Sequence, residues 1–215
     1  MRMGKGKLGK KTMIIDLTMV IDETTPVYPG DPKQDIQQIA TIKKDGWNEK
    51  RLTFNSHFST HIDAPIHMLE DGKTLSDFPI ETFTGDAIAI DVRGQKTINV
   101  DLRYMDIGSC NIIFFYTGYT EKRNQPSYFD HNPVISEETA LQLIKKRVKI
   151  IGIDSFSPDN NPWSIHKLLL KQDILIVENL VNLKSVAGKR FQCYILPLNI
   201  KEGDGAPCRV IAVLP

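Results

Sequence analysis

Three of the five histidines of this chain lie within eleven residues, with one aspartate among them: His57, His61, Asp63 and His67. Imidazole nitrogens and carboxylate oxygens are the ligands that zinc and manganese take in proteins. A straight strand rises about 3.3 Å per residue and would hold His57 about 33 Å from His67, while Pro65 excludes an unbroken helix. We therefore expect the chain to leave a strand near Ser59 and fold back into a metal cradle.

A metal site of this kind also needs ligands from elsewhere in the chain. His131 lies in a polar, turn-rich stretch, which indicates an exposed side chain, whereas His166 falls in the helical segment "SIHKLLLKQ". Glu178 closes the apolar run "ILIVEN", where it is either an ordinary strand-end carboxylate or a buried one that needs a partner. Asp154, which ends "KIIGID", is equally open to two interpretations: an acceptor that orients a ligand, or a strand-end residue.

Short β-rich runs recur along the chain and are separated by fewer helical segments. Several runs are continuously apolar, as strands buried on both faces are. The strongest helix is "SEETALQLIKKR", with Ser136 as N-cap and lysines in its last turn, and "NLKSVAG" is a weaker one that ends at Gly188. The pattern predicts a single α/β domain over residues 13–215 with a mixed sheet. The eight runs are 13–19, 51–58, 86–92, 111–117, 149–154, 174–179, 193–198 and 209–215.

Charge and composition narrow the class of protein. The net charge is +1, but residues 1–12 hold five basic side chains and no acid, so the rest of the chain is acidic. We interpret 1–12 as a disordered basic tail and expect no nucleic-acid partner. No apolar run is long enough to cross a membrane. Three well-separated cysteines form no CxxC pair, which favours a reduced, cytoplasmic protein. GxGxxG, P-loop and GxSxG motifs are absent from the sequence.

Several ordered motifs resemble one family, the metal-dependent hydrolases called the cyclase family, which includes bacterial kynurenine formamidases (arylformamidases). The resemblance covers nearly the whole chain after the tail. "HFSTHIDAPIH" is similar to the family pattern HxGTHxDxPxH, and it follows "IDLTMVIDETTPVYPGDP". Further along come "GIDSFSPD" with "HKLLLKQDILIVENLVNL", and "LPLNIKEGDGAPCRVIAVLP". The resemblance implies an α/β fold with a mixed, barrel-like sheet and flanking helices (the swivelling β/β/α type), assembled as a homodimer or a higher homo-oligomer.

The resemblance also implies a role for individual residues. His57, His61 and Asp63 are similar to the ligands of a first divalent ion. His166 and Glu178 complete a second site, with Asp63 and Glu178 bridging the two ions. The implied cofactor is one or two ions per chain, zinc first and manganese as the alternative. His67 corresponds to the catalytic histidine, and Tyr28 occupies the place where kynurenine formamidases carry a tryptophan that contacts the aromatic substrate.

The expected activity is hydrolysis of a C–N bond in a small aromatic amide or formamide such as N-formylkynurenine, with His67 moving the proton. Two alternatives stay open: ring opening of another small cyclic carbonyl compound, such as an isatin-like imide, or metal binding without catalysis. Tyr28 in place of tryptophan bears on the substrate, and Ser59 in place of glycine strains the turn if φ is positive there. Single aromatic residues could wall the substrate or belong to the core: Trp163, Phe58 and Phe83.

Overall fold

The computed structural model describes residues 12–215. Apart from Thr12, the predicted basic tail 1–12 lies outside the described residues, and its disorder stays a prediction. Within the described residues the chain forms twelve strands and three α-helices. The strands are β1 Met13–Asp16, β2 Asp35–Ala40, β3 Glu49–Thr53, β4 His61–Asp63, β5 Thr84–Asp91, β6 Thr97–Ile98, β7 Ile112–Tyr116, β8 Val134–Ile135, β9 Ile150–Ile153, β10 Leu175–Glu178, β11 Arg190–Pro197 and β12 Gly205–Leu214. The helices are α1 Ile42–Asp45, α2 Glu137–Lys145 and α3 Ser164–Leu170.

Seven strands close into a barrel. They follow the order β12-β11-β5-β7-β9-β10-β4, and β4 pairs again with β12, while β1 adds to β12 from outside the ring. The neighbours from β5 to β10 are parallel and the other pairs are antiparallel. The predicted α/β fold with a mixed, barrel-like sheet is confirmed.

Alternation along the barrel strands creates two hydrophobic cores, because successive side chains point to opposite faces. One set fills the barrel and includes Phe114, Val177 and Ala212. The residues adjacent to these in the strands, such as Phe115 and Ile176, face outward and pack against buried side chains of α2 and α3. Strands buried on both faces explain the continuous apolar runs in the sequence.

Local sequence signals account for the main helix but fail for the weakest one. Ser136 caps α2 by accepting a hydrogen bond from the amide of Thr139 at 3.1 Å. The expected helix in "NLKSVAG" is wrong, since only a 3-10 turn forms at Leu183–Ser185. Ala187 bridges to Ala89 of β5 at this point, and that pairing draws the backbone out of the helical path.

The hairpin of β2 and β3 was not expected as a separate unit. These strands pair only with each other and stand apart from the barrel, so the predicted strand 51–58 ends early, at Thr53. Cys110, Cys193 and Cys208 are buried and unpaired, in line with the absence of a disulfide framework. Within residues 12–215, every helix is too short or too polar to cross a membrane.

A substitution at Gly152 would test how tightly the interior of the barrel is packed. A Cβ atom there would lie 2.5 Å from Cδ1 of Phe114 and 2.7 Å from Cδ1 of Leu180. We expect Gly152→Ala to lower the free energy of unfolding by about 1–3 kcal/mol through overpacking. In Gly85→Ala the three atoms nearest to the new methyl group all belong to the rotatable amide of Asn111, so urea unfolding should show a loss below about 1 kcal/mol. Equal losses in both variants would contradict this view of the barrel interior.

Candidate metal centre

Strand β4 is the element that places the central ligands. His61 and Asp63 are two residues apart and therefore point to the same face of the strand. β4 pairs with β10 on one side, where Glu178 lies opposite His61. On the other side it pairs with the start of β12, where Gly205 lies opposite Asp63. Two distant parts of the sequence thus meet at three residues of β4.

The turn before β4 adopts a left-handed backbone. Ser59 has φ 59°, a conformation that favours glycine, which gives a structural reason for the family's glycine at this place. The Ser59 hydroxyl donates to the carbonyl of Met19 at 3.2 Å. Its own carbonyl accepts from Nδ1 of His61 at 2.9 Å. The strain expected from serine is therefore present, and a hydrogen bond offsets it.

The chain turns back again after β4, as the sequence predicted. Pro65 begins a 3-10 turn that ends at His67, a position that suits the fixed φ of proline. The ring centroid of His67 lies 3.8 Å from that of His57, far below the extended separation. The three histidines of the motif are therefore neighbours in space.

Asp63 is the centre of the cluster and is 1 % exposed. Its Oδ1 lies 2.8 Å from Nδ1 of His57 and 3.3 Å from Nε2 of His61. Its Oδ2 lies 3.7 Å from Nε2 of His166, beyond hydrogen-bond distance, and has no partner among the described residues. Such an orphaned buried carboxylate oxygen is costly unless it binds a cation.

Glu178 is also buried and faces two of the histidines, which resolves the question that the sequence left open. Its Oε2 lies 3.4 Å from Nε2 of His61, and its Oε1 lies 3.2 Å from Nε2 of His166. Among the described residues, three triads place one potential ligand atom from each residue within 4.8 Å of the others: His57, His61 and Asp63; Asp63, His166 and Glu178; and His57, His67 and Asp204. The nitrogen and oxygen donors, with the orphaned oxygen between them, fit a divalent ion.

The imidazoles of His57, His61 and His166 each have a hydrogen-bond partner at the second ring nitrogen as well. Nε2 of His57 lies 3.0 Å from Oδ2 of Asp204, and Nδ1 of His166 lies 2.5 Å from Oδ1 of Asp159. For His61 the acceptor is the Ser59 carbonyl. Acceptors behind ligating histidines are the usual means of fixing their orientation in metal sites.

The carboxylates hold protons on the histidines when no ion is bound. Burial by itself would lower the pKa of His57, but hydrogen bonds to Asp204 and Asp63 outweigh it and raise that pKa to about 9. Burial also opposes the charged form of His61, yet Asp63 and Glu178 raise its pKa to about 10. Since both values lie above neutral pH, an incoming ion must displace these protons, and acid must weaken its binding.

His67 differs from the other imidazoles of the cluster. Neither of its ring nitrogens has a hydrogen-bond partner among the described side chains. Burial lowers its pKa below the ordinary value, with the attraction of Asp63 offset by the repulsion of His57 and His166. His67 is therefore neutral at pH 7 and has a nitrogen free to accept a proton.

The cluster opens into a cavity of about 500 Å³ with aromatic walls. Tyr28 is 45 % exposed and packs against Phe129 and Phe156 at centroid distances of 5.6 and 6.2 Å. Trp163 also lines the cavity and lies edge-on to His166 at 5.9 Å. Phe58 and Phe83 belong to the core and do not line this cavity.

The remaining predicted residues have other positions. His131 is exposed, as expected. Asp154 is buried and orients no ligand: it accepts hydrogen bonds from the amides of Thr117 and Gly118. Burial raises the pKa of Asp154 to about 6. Asp154 therefore holds the loop after β7 in place, which agrees with the interpretation of Asp154 as a strand-end residue.

Sequence reasoning missed four residues of the site: Asp159, Asp204, Phe129 and Phe156. Asp159 and Phe156 stand in the motif "GIDSFSPD", and Asp204 stands in "EGDGAP", so the motifs were visible but the side-chain contacts were not. Phe129 lies in a turn-rich stretch that carried no signal.

Comparison with known proteins places the chain in a family. Residues 15–160 match the family model described as "Putative cyclase". A kynurenine formamidase of Bacillus cytotoxicus is 32 % identical over 92 % of this chain and 95 % of its own length. An uncharacterized protein of Methanocaldococcus jannaschii is 34 % identical over 94 % and 99 %. The chain therefore belongs to the cyclase family.

Solved structures agree with this placement. A potential metal-dependent hydrolase with cyclase activity superposes with a TM-score of 0.80 at 26 % identity, covering 94 % of this chain and 98 % of the other. An isatin hydrolase bound to the product analogue thioisatinate has a TM-score of 0.86 at 19 % identity, covering 95 % and 93 %, which shows the shared fold. With the formamidase relatives, these findings make the protein a hydrolase enzyme.

The turn at Ser59 gives a test of the balance between strain and hydrogen bonding. Ser59→Ala keeps the left-handed backbone but loses the bond to Met19, so we expect unfolding free energy to fall by about 1 kcal/mol. Ser59→Gly loses the same bond while relieving about 1 kcal/mol of strain, and should stay near wild type. Urea unfolding of chelator-treated protein measures both. A glycine variant less stable than the alanine variant would contradict the strain argument.

Proposed function

We propose that this chain is a metal-dependent hydrolase that cleaves the C–N bond of a small aromatic amide or formamide, with N-formylkynurenine as the leading substrate. The observation that carries the proposal is the convergence of imidazoles and buried carboxylates on an aromatic-walled cavity. Relatives named kynurenine formamidase support the substrate class.

The proposed ion site uses residues that already share short distances. His57, His61 and Asp63 would hold a first ion, and His166 with Glu178 would complete a second site, with Asp63 and Glu178 available to both. Zinc is the expected metal because neutral imidazole and carboxylate donors suit it, with manganese as the alternative. A bound divalent ion polarises a carbonyl and lowers the pKa of water toward about 7.

His67 acts as general base and then general acid. Its unpaired nitrogen suits removal of a proton from the attacking water, because burial keeps the ring in the neutral form that can accept one. The same proton then goes to the amide nitrogen as the C–N bond breaks, so a formamide yields formate and a free aromatic amine. Its ring lies 3.8 Å from that of His57 at an interplanar angle of 33°, which places it beside the proposed ion.

Tyr28 contacts the aromatic ring of the substrate in this proposal. It stands at the exposed side of the cavity, with Phe129 and Phe156 behind it. These rings offer apolar faces to a planar substrate. A phenol is smaller than an indole and adds a hydroxyl, so Tyr28 makes a smaller contact with the substrate ring than a tryptophan would.

Ring opening of an isatin-like imide requires the same C–N cleavage and stays the alternative activity, since the isatin hydrolase shares the fold. Metal binding without catalysis is the second alternative. The free nitrogen of His67 beside an accessible cavity argues against it, because a structural site closes its coordination sphere.

We also propose a homodimer. The β2–β3 hairpin stands off the barrel and exposes the large apolar side chains of Ile39, Trp47 and Leu52. An exposed apolar surface of this kind is typical of a protein interface. Light scattering after size exclusion measures the mass; a monomer at micromolar concentration would contradict this assignment.

A substrate panel tests the proposed activity. We expect zinc-loaded protein to release formate from N-formylkynurenine and formanilide faster than it opens isatin. Chelation should abolish turnover while circular dichroism stays unchanged, because two hydrophobic cores hold the fold. Faster opening of isatin would favour the alternative activity. Melting of the protein on chelation, without turnover of any substrate, would make the metal structural.

Two histidine variants separate ligand from base. We expect His61→Ala to lose metal and turnover together, since a ligand at about 2 Å from the ion is removed. His67→Ala should keep its metal while kcat falls by roughly 10² to 10⁴. Metal stoichiometry and kcat are measured on both purified proteins.

His131→Asn is the matched control, because this exposed histidine has a left-handed φ of 57° that asparagine tolerates. It should match wild type in metal and rate. Loss of metal in His67→Ala would make His67 a ligand, and full activity in that variant would remove it from the mechanism.

A further inference from the structure

The three imidazoles that face Asp63 and Glu178 do not use the same nitrogen. His57 turns Nδ1 toward the centre, whereas His61 and His166 turn Nε2. We propose that Asp204 and Asp159 are positioning residues that fix the tautomers of His57 and His166, so that an ion binds Nδ1 of His57 and Nε2 of His166. The inference rests on the metal centre of the proposed function and adds which atoms bind and what selects them.

The carboxylate of Asp159 contacts both the main-chain amide and the ring of His166. Its Oδ1 faces Nδ1 of His166 at 2.5 Å, while its Oδ2 accepts from the amides of Ile165 at 2.7 Å and His166 at 3.1 Å. The carboxylate is buried and can only accept hydrogen bonds. A neutral imidazole has one N–H, so the proton stays on Nδ1 and the lone pair of Nε2 points toward Glu178.

Asp204 fixes the other tautomer in His57, the one with its proton on Nε2. Its Oδ2 faces Nε2 of His57 at 3.0 Å and accepts from the hydroxyl of Ser56 at 3.2 Å. The proton of the neutral ring therefore stays on Nε2, and Nδ1 presents its lone pair on the side of Asp63. Gly205 makes room for this ring, since a Cβ atom there would lie 2.5 Å from Cε1 of His57.

His61 supplies an internal reference for the argument. Its Nδ1 donates to a main-chain carbonyl, that of Ser59, which can only accept. The tautomer with a free Nε2 is thus fixed by backbone that no side-chain substitution removes. Variants at Asp159 and Asp204 should leave the His61 signal unchanged.

The two carboxylates respond differently to replacement by an amide. At Asp204 both hydrogen bonds fall on one oxygen, so the amide oxygen of asparagine can accept both. At Asp159 the two oxygens accept from different groups, so the amide NH₂ must face either the helix amides or Nδ1 of His166. When the NH₂ group faces Nδ1 of His166, that nitrogen must accept a hydrogen bond, so the ring proton moves to Nε2. The lone pair on Nε2 that an ion needs is then lost.

The experiment uses the full chain with zinc alone as probe and no substrate. Zinc affinity is measured by competition with a chelator at fixed pH, and nitrogen NMR of 15N-histidine protein reports which ring nitrogen carries metal. We expect Asp204→Ala and Asp159→Asn to weaken zinc binding by about 10- to 100-fold, and Asp204→Asn by less than about tenfold. Asp173→Asn is the control: this surface carboxylate pairs with Lys73, and the variant should bind zinc like wild type.

The spectra decide the outcome independently of catalysis. Zinc on Nδ1 of His57 and Nε2 of His166 in wild type, with the His166 pattern changed in Asp159→Asn, supports the inference. Zinc on Nε2 of His57, or wild-type affinity in Asp204→Ala, overturns it even if formate is released. If Asp159→Asn does not fold, Asp204→Ala and the wild-type spectrum still decide. The expected spectra without any C–N hydrolysis would overturn the proposed function alone, and failure to bind zinc would overturn both.

Discussion

The structure depends on one buried carboxylate. Asp63 is 1 % exposed on the outward face of β4, where it lies opposite Ile176 of β10, and an isolated carboxylate in such a buried place is strongly unfavourable. The charge of the neighbouring histidines and their hydrogen bonds compensate for burial and hold the pKa of Asp63 well below its usual range. Positive charge at this centre is therefore required for the folded state, whether it comes as protons on imidazoles or as an ion that replaces them.

The closure of the barrel makes this centre possible. β4 is only three residues long, yet it bridges β10 and β12. Without it the sheet would have two open edges, and the segments that contain Glu178 and Asp204 would not face the histidine motif. The same short strand thus completes the fold and orders the site, so a change that loosens one should loosen the other.

Polar contacts are dense at the cluster, and ring contacts take their place at the cavity mouth. His57, His61 and His166 are each held at both ring nitrogens, so little reorganisation is needed when an ion replaces the protons. Tyr28, by contrast, is half-exposed and makes its contacts through ring edges. In the proposed function, the buried polar contacts therefore hold the metal ligands, and the aromatic side chains contact the substrate.

The sequence by itself determined the features that depend on neighbouring residues. Apolar runs predicted the barrel strands, Ser136 predicted the start of α2, and the spacing around Pro65 required the chain to fold back. The tertiary structure decided which distant residues meet: the isolated hairpin, the closure at β4, and the carboxylates Asp159 and Asp204 behind the histidines. These contacts follow from strand register and barrel closure. A local sequence pattern carries no information about a partner that is 147 residues away in the chain, as Asp204 is from His57.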